Sequence, residues 1–231
     1  MDHLLLLRIA SKYQAPRVLR RLMTIFCHHL PSTLAKWDHW IGEVKYECSA
    51  VCRVRCESRI SDTECVHALN MARQVGIHIL MPAMFLFLAT EVSTEELMNS
   101  TVFKKLIPAN MTALITGQRK LYRITREEVF GPIYSSSRNI SPECRTVSAC
   151  HIARHKLARK VIEVDSFGTG RPFTVVNFKV PPASDLCTEC GAVLRQWYIR
   201  GRIEAWNKLP AQFGLPSWDE LRKQQDEFLN C

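Results

Sequence analysis

The apolar run Ile77–Ala89 constrains the fold more than any other stretch of this chain. It is too short to span a bilayer, which takes about 20 consecutive apolar residues in a helix. Phe85, Leu86 and Leu88 leave it without a polar face once it is helical. Such a helix has to be surrounded by other elements. Pro82 fits the first turn, where its missing N–H is not needed. The run therefore predicts the central, buried helix of a bundle.

The flanking sequence supplies elements that could surround it. After Pro16, Val18, Leu19, Leu22, Met23 and Phe26 repeat at helical spacing. After Pro108, Met111, Leu114, Ile115, Leu121 and Tyr122 are assigned to the apolar side of a long helix. Arg119, Lys120, Arg123, Arg126, Glu127 and Glu128 form its solvated side. Ser61-Asp62-Thr63-Glu64 and Ser217-Trp218-Asp219-Glu220 are capping boxes, in which a serine and a glutamate satisfy each other's first-turn amides. Gly76 suits a left-handed helix end. Glycine is scarce, 9 in 231 residues, and 47% of residues are hydrophobic, enough for a sizeable core. The expected class is all-α: an irregular helical bundle with long loops. Gly131-Pro132 and Ser135–Ser137 mark a loop, and 165–184 a longer one with a brief strand at Phe173–Val180. A helix from about Asp185 to Lys208 is closed by Pro210. His67, His78 and Trp197 read as core residues.

The cysteines carry the only candidate chemistry. There are 10. Leu4–Leu7 is too short for the apolar core of a secretory leader, and Arg8 interrupts it. A reducing compartment, cytoplasm or nucleus, is expected, and there cysteines serve as buried thiols or metal ligands. Cys187-x2-Cys190 places two sulfurs on one side of a helix start. Zinc needs two more ligands, and Cys144 and Cys150 are the natural second pair, with His151 able to replace one thiol. The competing reading is buried free thiols that pack as small hydrophobes. Four thiolates would make a closed structural site, without the open position that hydrolysis uses. Cys48, Cys52 and Cys56 recur at i, i+4, i+8 but spread over two turns, and residues 42–60 read as an atypical insertion. No nucleophile elbow, His-Glu-x-x-His or nucleotide fingerprint is present, and Gly168-Thr169-Gly170 lacks the lysine of a phosphate loop. No enzyme activity is expected.

The net charge of +9 comes from 31 basic and 22 acidic residues. The basic residues fall into separate groups: Arg17, Arg20 and Arg21; Arg53, Arg55 and Arg59; Arg154, Lys156, Arg159 and Lys160. Solvated helix faces explain them better than one nucleic-acid surface. A zinc-stabilised nucleic-acid-binding protein is the alternative reading, and it requires a contiguous basic face.

Three stretches resemble one family. Leu5-Leu6-Leu7-Arg8-Ile9-Ala10-Ser11-Lys12-Tyr13-Gln14-Ala15-Pro16 looks like the helices that close a BTB/POZ domain. Met71-Ala72-Arg73-Gln74-Val75-Gly76-Ile77 with Leu80-Met81-Pro82-Ala83 resembles the helical region that follows. The ending, from Cys187-x2-Cys190 through Trp206-Asn207-Lys208-Leu209-Pro210 to Phe213-Gly214-Leu215-Pro216-Ser217-Trp218, is similar to the C-terminus of fungal BTB domain-containing proteins. The resemblance implies a protein–protein interaction module, of a kind that can serve as a ubiquitin-ligase adaptor. It also implies an upstream cysteine pair placed like Cys144 and Cys150. The BTB core would precede residue 1, so dimerisation and cullin docking are carried onto no residue here. Homo-oligomers are expected only with that core, and neither membrane nor nucleic acid is an expected partner. The resulting organisation is 1–41 as the end of a BTB domain, 42–60 as insertion, 61–130 as a helical region and 131–231 as a C-terminal helical region with the cysteine pairs.

Overall fold

The computed structural model describes residues 6, 9–10, 12–15, 17–19, 21–22, 30–46, 62–91, 95, 99–134, 140–166 and 185–230. The side chains of 41–46, 91, 160–166 and 229–230 lie outside that description. Every regular element among the described residues is helical. The helices are α1 (Leu34–Tyr46), α2 (Asp62–Val75), α3 (Met81–Glu91), α4 (Pro108–Ile124), α5 (Gly131–Tyr134), α6 (Val147–Ser166), α7 (Thr188–Asn207), α8 (Leu209–Gln212) and α9 (Trp218–Asn230). The expected strand at Phe173–Val180 and the triplet Cys48, Cys52, Cys56 lie outside the described residues. No described helix is long and apolar enough to cross a membrane.

Helix α3 is the buried centre, with Met81, Met84, Phe85, Leu86, Leu88 and Ala89 sealed from solvent. It packs between α2 and α4. The expected run is split: His78–Leu80 makes a 3-10 turn and the α-helix takes over at Met81, with Pro82 in its first turn. The break follows from how α2 ends. Gly76 is left-handed at φ 78°. Its N–H donates to Arg73 O (3.3 Å), and the Ile77 N–H to Ala72 O (2.7 Å). This pair of bonds closes α2 and turns the chain.

Helix α4 buries Leu114, Gly117, Gln118, Leu121 and Ile124. Ile115 and Tyr122, assigned above to the apolar side, are exposed (38% and 43%). Each lies one residue, about 100°, past the buried line. Asn110 is buried near the start of this helix without cost to its polarity. Its Oδ1 accepts from Arg73 Nε (2.5 Å) and its Nδ2 donates to Asn70 Oδ1 (3.1 Å), which also accepts the Ile107 N–H (3.1 Å).

After Ile124 the backbone widens into a π turn, Thr125–Val129, and α7 crosses against it at Gly201. The expected loop at Gly131-Pro132 is instead the short helix α5, held because Ile133 is buried. The chain's ending wraps the core with aromatic rings. Trp206 stacks on Trp218 at 5.4 Å and contacts Trp37 at 6.1 Å, while Phe213 stacks on Phe85 at 4.7 Å. Gly117 carries no side chain where the Phe213 ring lies. Trp218 Nε1 donates to Trp206 O (2.8 Å), fixing the stack. Pro210 opens α8 rather than closing α7. The second capping box forms as expected: the Ser217 N–H donates to Glu220 Oε2 (2.8 Å) and the Glu220 N–H to Ser217 Oγ (3.3 Å). His67 and Trp197 are exposed rather than core, and Arg200 lies over the Trp197 ring.

Candidate metal centre

Two turns of chain at the heads of two helices build this site. Ser141-Pro142-Glu143-Cys144 forms a tight turn: the Cys144 N–H donates to Ser141 O (3.0 Å) and the Glu143 N–H to Ser141 Oγ (3.2 Å). Proline sets its backbone angle for such a turn. Thr146 then precedes α6 and accepts the Cys150 N–H at 2.9 Å. On the other side Cys187 is the N-cap of α7, its Sγ accepting from the Cys190 N–H at 3.5 Å. Cysteine here takes the capping role that serine or aspartate usually fills.

The four sulfurs of Cys144, Cys150, Cys187 and Cys190 lie within 4.8 Å of one another. The Cys144 and Cys187 sulfurs are 3.7 Å apart. Four thiolates about 2.3 Å from one ion in a tetrahedron are about 3.8 Å from each other. A disulfide would need about 2.05 Å, and all four are free. The spacing thus suits a shared ion and not a covalent pair. His151 is not part of this group, and four sulfurs already complete a tetrahedron.

The surroundings favour ionised sulfur at Cys150. The Cys150 Sγ accepts the Cys187 N–H at 3.3 Å and lies 3.5 Å from Thr146 Oγ1. These contacts pull the Cys150 thiol down to about 7, the backbone donor contributing most. Burial pushes the Cys190 thiol up to about 12, against the Ser141 backbone donor that lowers it. A divalent ion would override that burial cost, because metal-bound thiols lose their protons outright. Both cysteine pairs also sit at helix N-termini, where the partial positive charge of unpaired amides favours anions. Cys150 and Cys190 are buried, Cys144 and Cys187 half-buried. Such a site would tie the start of α6 to the start of α7.

Sequence reasoning passed over one neighbour. Arg154, placed above in a solvated basic group, is buried, one turn beyond Cys150 on α6. Its Nη2 donates to Pro132 O (3.0 Å) and its Nε to Ile133 O (3.4 Å). Charge and composition did not distinguish it from Lys156 or Arg159. Its i+4 spacing from Cys150 is the signal that would have. Cys65 is a buried thiol on α2, outside the cluster, whose Sγ lies 3.7 Å from Met84 O. Burial drives its ionisation far above the usual thiol range.

Comparisons of the chain with protein-family models, with curated proteins and with solved structures each gave no match.

Proposed function

We propose that this chain is a non-enzymatic protein–protein interaction module whose C-terminal helices are held by one structural zinc ion on Cys144, Cys150, Cys187 and Cys190. The convergence of four sulfurs within 4.8 Å at the heads of α6 and α7 carries the reading. Tetrathiolate sets select soft or borderline ions, and zinc is the redox-inert one that takes a tetrahedral sulfur set as a structural site. Four protein ligands leave no position for substrate, so the ion would supply folding energy rather than turnover. A cytoplasmic or nuclear setting would keep the thiols reduced for it.

Two observations support a protein partner. The sequence resembles the helical region of BTB/POZ proteins, whose work is adaptor-type interaction. Helix α7 also exposes the neighbouring apolar side chains Ile199 and Ile203 (49% and 46%) and, elsewhere on the helix, Trp197 (40%), a residue type enriched at protein interfaces. Zinc at Cys187 and Cys190 would pin the helix that presents them.

The test has two arms. Metal analysis of the purified chain is expected to give one zinc per molecule, lost in Cys187→Ser/Cys190→Ser. Affinity capture is expected to recover a defined protein set with the zinc-loaded chain, lost in Ile199→Asp/Ile203→Asp. A chain without zinc sinks the metal half. A captured set indifferent to the α7 variant, or consisting of nucleic acid, sinks the interaction half.

A further inference from the structure

The buried guanidinium of Arg154 has no carboxylate partner among the described residues. Arg154 is 5% exposed. Nε and Nη2 spend their hydrogen bonds on the neutral carbonyls of Ile133 and Pro132, and Nη1 is buried with no hydrogen-bond partner. A buried positive charge without an anion is strongly unfavourable. Arginine does not escape by losing its proton, as a buried lysine can. The structure must therefore supply negative charge nearby.

The four-sulfur cluster is where that charge would arise. Arg154 lies at i+4 from Cys150, so both project from one face of α6. Burial disfavours the charged Arg154 guanidinium, and only the Cys190 sulfur, contributed by α7, works against that shift. Four neutral thiols would offer Arg154 nothing. Four thiolates around a divalent ion carry a net charge of about −2. One buried guanidinium offsets about half of it. The charges are most nearly complementary in the metal-loaded state.

We infer that Arg154 is the counter-charge of the metal centre: a positioning residue that raises its affinity for the ion and couples loading to the Pro132–Ile133 turn. This rests on the zinc reading above. The same side chain reaches the carbonyls of α5, which packs on α6 and against α7. Metal loading would thus stabilise a junction of three helices.

The experiment compares wild type, Arg154→Met and Arg154→Lys, measuring zinc affinity by chelator competition and thermal unfolding with and without zinc. Arg154→Met is expected to weaken zinc about ten- to a hundredfold, the usual effect of removing a group that supports metal ligands. Its metal-free form is expected to melt no lower than metal-free wild type, since an unpaired buried charge has been removed. Beside the anionic loaded cluster Arg154→Lys keeps its proton, as a buried lysine without an anion need not, and it is expected to bind zinc near the wild-type level. Equal destabilisation of both forms with unchanged zinc affinity would reduce Arg154 to a clamp on α5 and overturn the inference. If the Met variant does not fold, the Lys variant decides: affinity near wild type supports the counter-charge, and a tenfold loss refutes it. A wild-type chain that binds no zinc fails at the first arm and takes the inference with it.

Discussion

Replacing Gly201 by alanine tests how closely α7 is seated on the π turn. In an open helix this change would stabilise by about 1 kcal/mol, because alanine is the better helix former. Here an added Cβ would fall below 3.0 Å from the Glu128 carbonyl oxygen and carbon, backbone atoms that no rotamer change can move. Relief requires α7 to retreat by on the order of 1 Å, and a gap of that size forfeits a quarter to a half of each dispersion contact across the seam. Leu194, Tyr198, Ala205 and Trp206 are the buried side chains on α7 that would lose contact. Overpacking of this kind costs about 1–3 kcal/mol. At about 2–4 °C per kcal/mol for a chain of this size, the melting temperature is expected to fall by about 2–12 °C. The assay is thermal unfolding followed by circular dichroism, with zinc present. Gly201 lies about three turns from Cys190, so zinc content should not change. Melting at or above the wild-type temperature would refute the close approach.

Other consequences follow from the same packing. Trp218→Ala removes one partner of the Trp206 stack and is expected to cost about 3–5 kcal/mol, read by denaturant unfolding. Cys65 should resist alkylation in the native zinc-loaded chain and react only on unfolding, as peptide mapping would show. Zinc affinity should fall steadily as pH is lowered, because protons compete for the ligand sulfurs, and chelator competition across pH checks this. The Ser217 amide and hydroxyl hold Glu220 below its ordinary range. A carboxylate lowered in the folded state contributes stability that is present above its unfolded value, about 4.3, and lost as pH falls through the folded value. Glu220→Gln should therefore lower stability at neutral pH, converge on the wild type in acid and so flatten the acid limb of the unfolding curve.

The all-α class and the central helix were legible because an apolar run containing Phe85, Leu86 and Leu88 has no other way to be satisfied. Gly76 and the Ser217–Glu220 box were legible because each works within a few residues of chain. What escaped depends on contacts distant in sequence. Ile115 and Tyr122 differ from Leu114 and Leu121 by one helical step, and only the neighbouring helices decide which is inside. Trp197 was expected inside, yet Leu194 and Tyr198 take the core-facing positions of α7. The π turn was invisible, since it exists to receive Gly201 from a helix more than 70 residues later. The cysteines were legible as two pairs, but their convergence is a property of the fold. Arg154 differed from its basic neighbours in the sequence only by its i+4 spacing from Cys150, which gains meaning once its burial is known.

Zinc K-edge X-ray absorption on the purified full chain tests the central claim most directly. One zinc per chain is expected, with a shell of four sulfurs at about 2.3 Å and no lighter ligand. A chain that carries no zinc, or zinc held by nitrogen or oxygen donors, would contradict it.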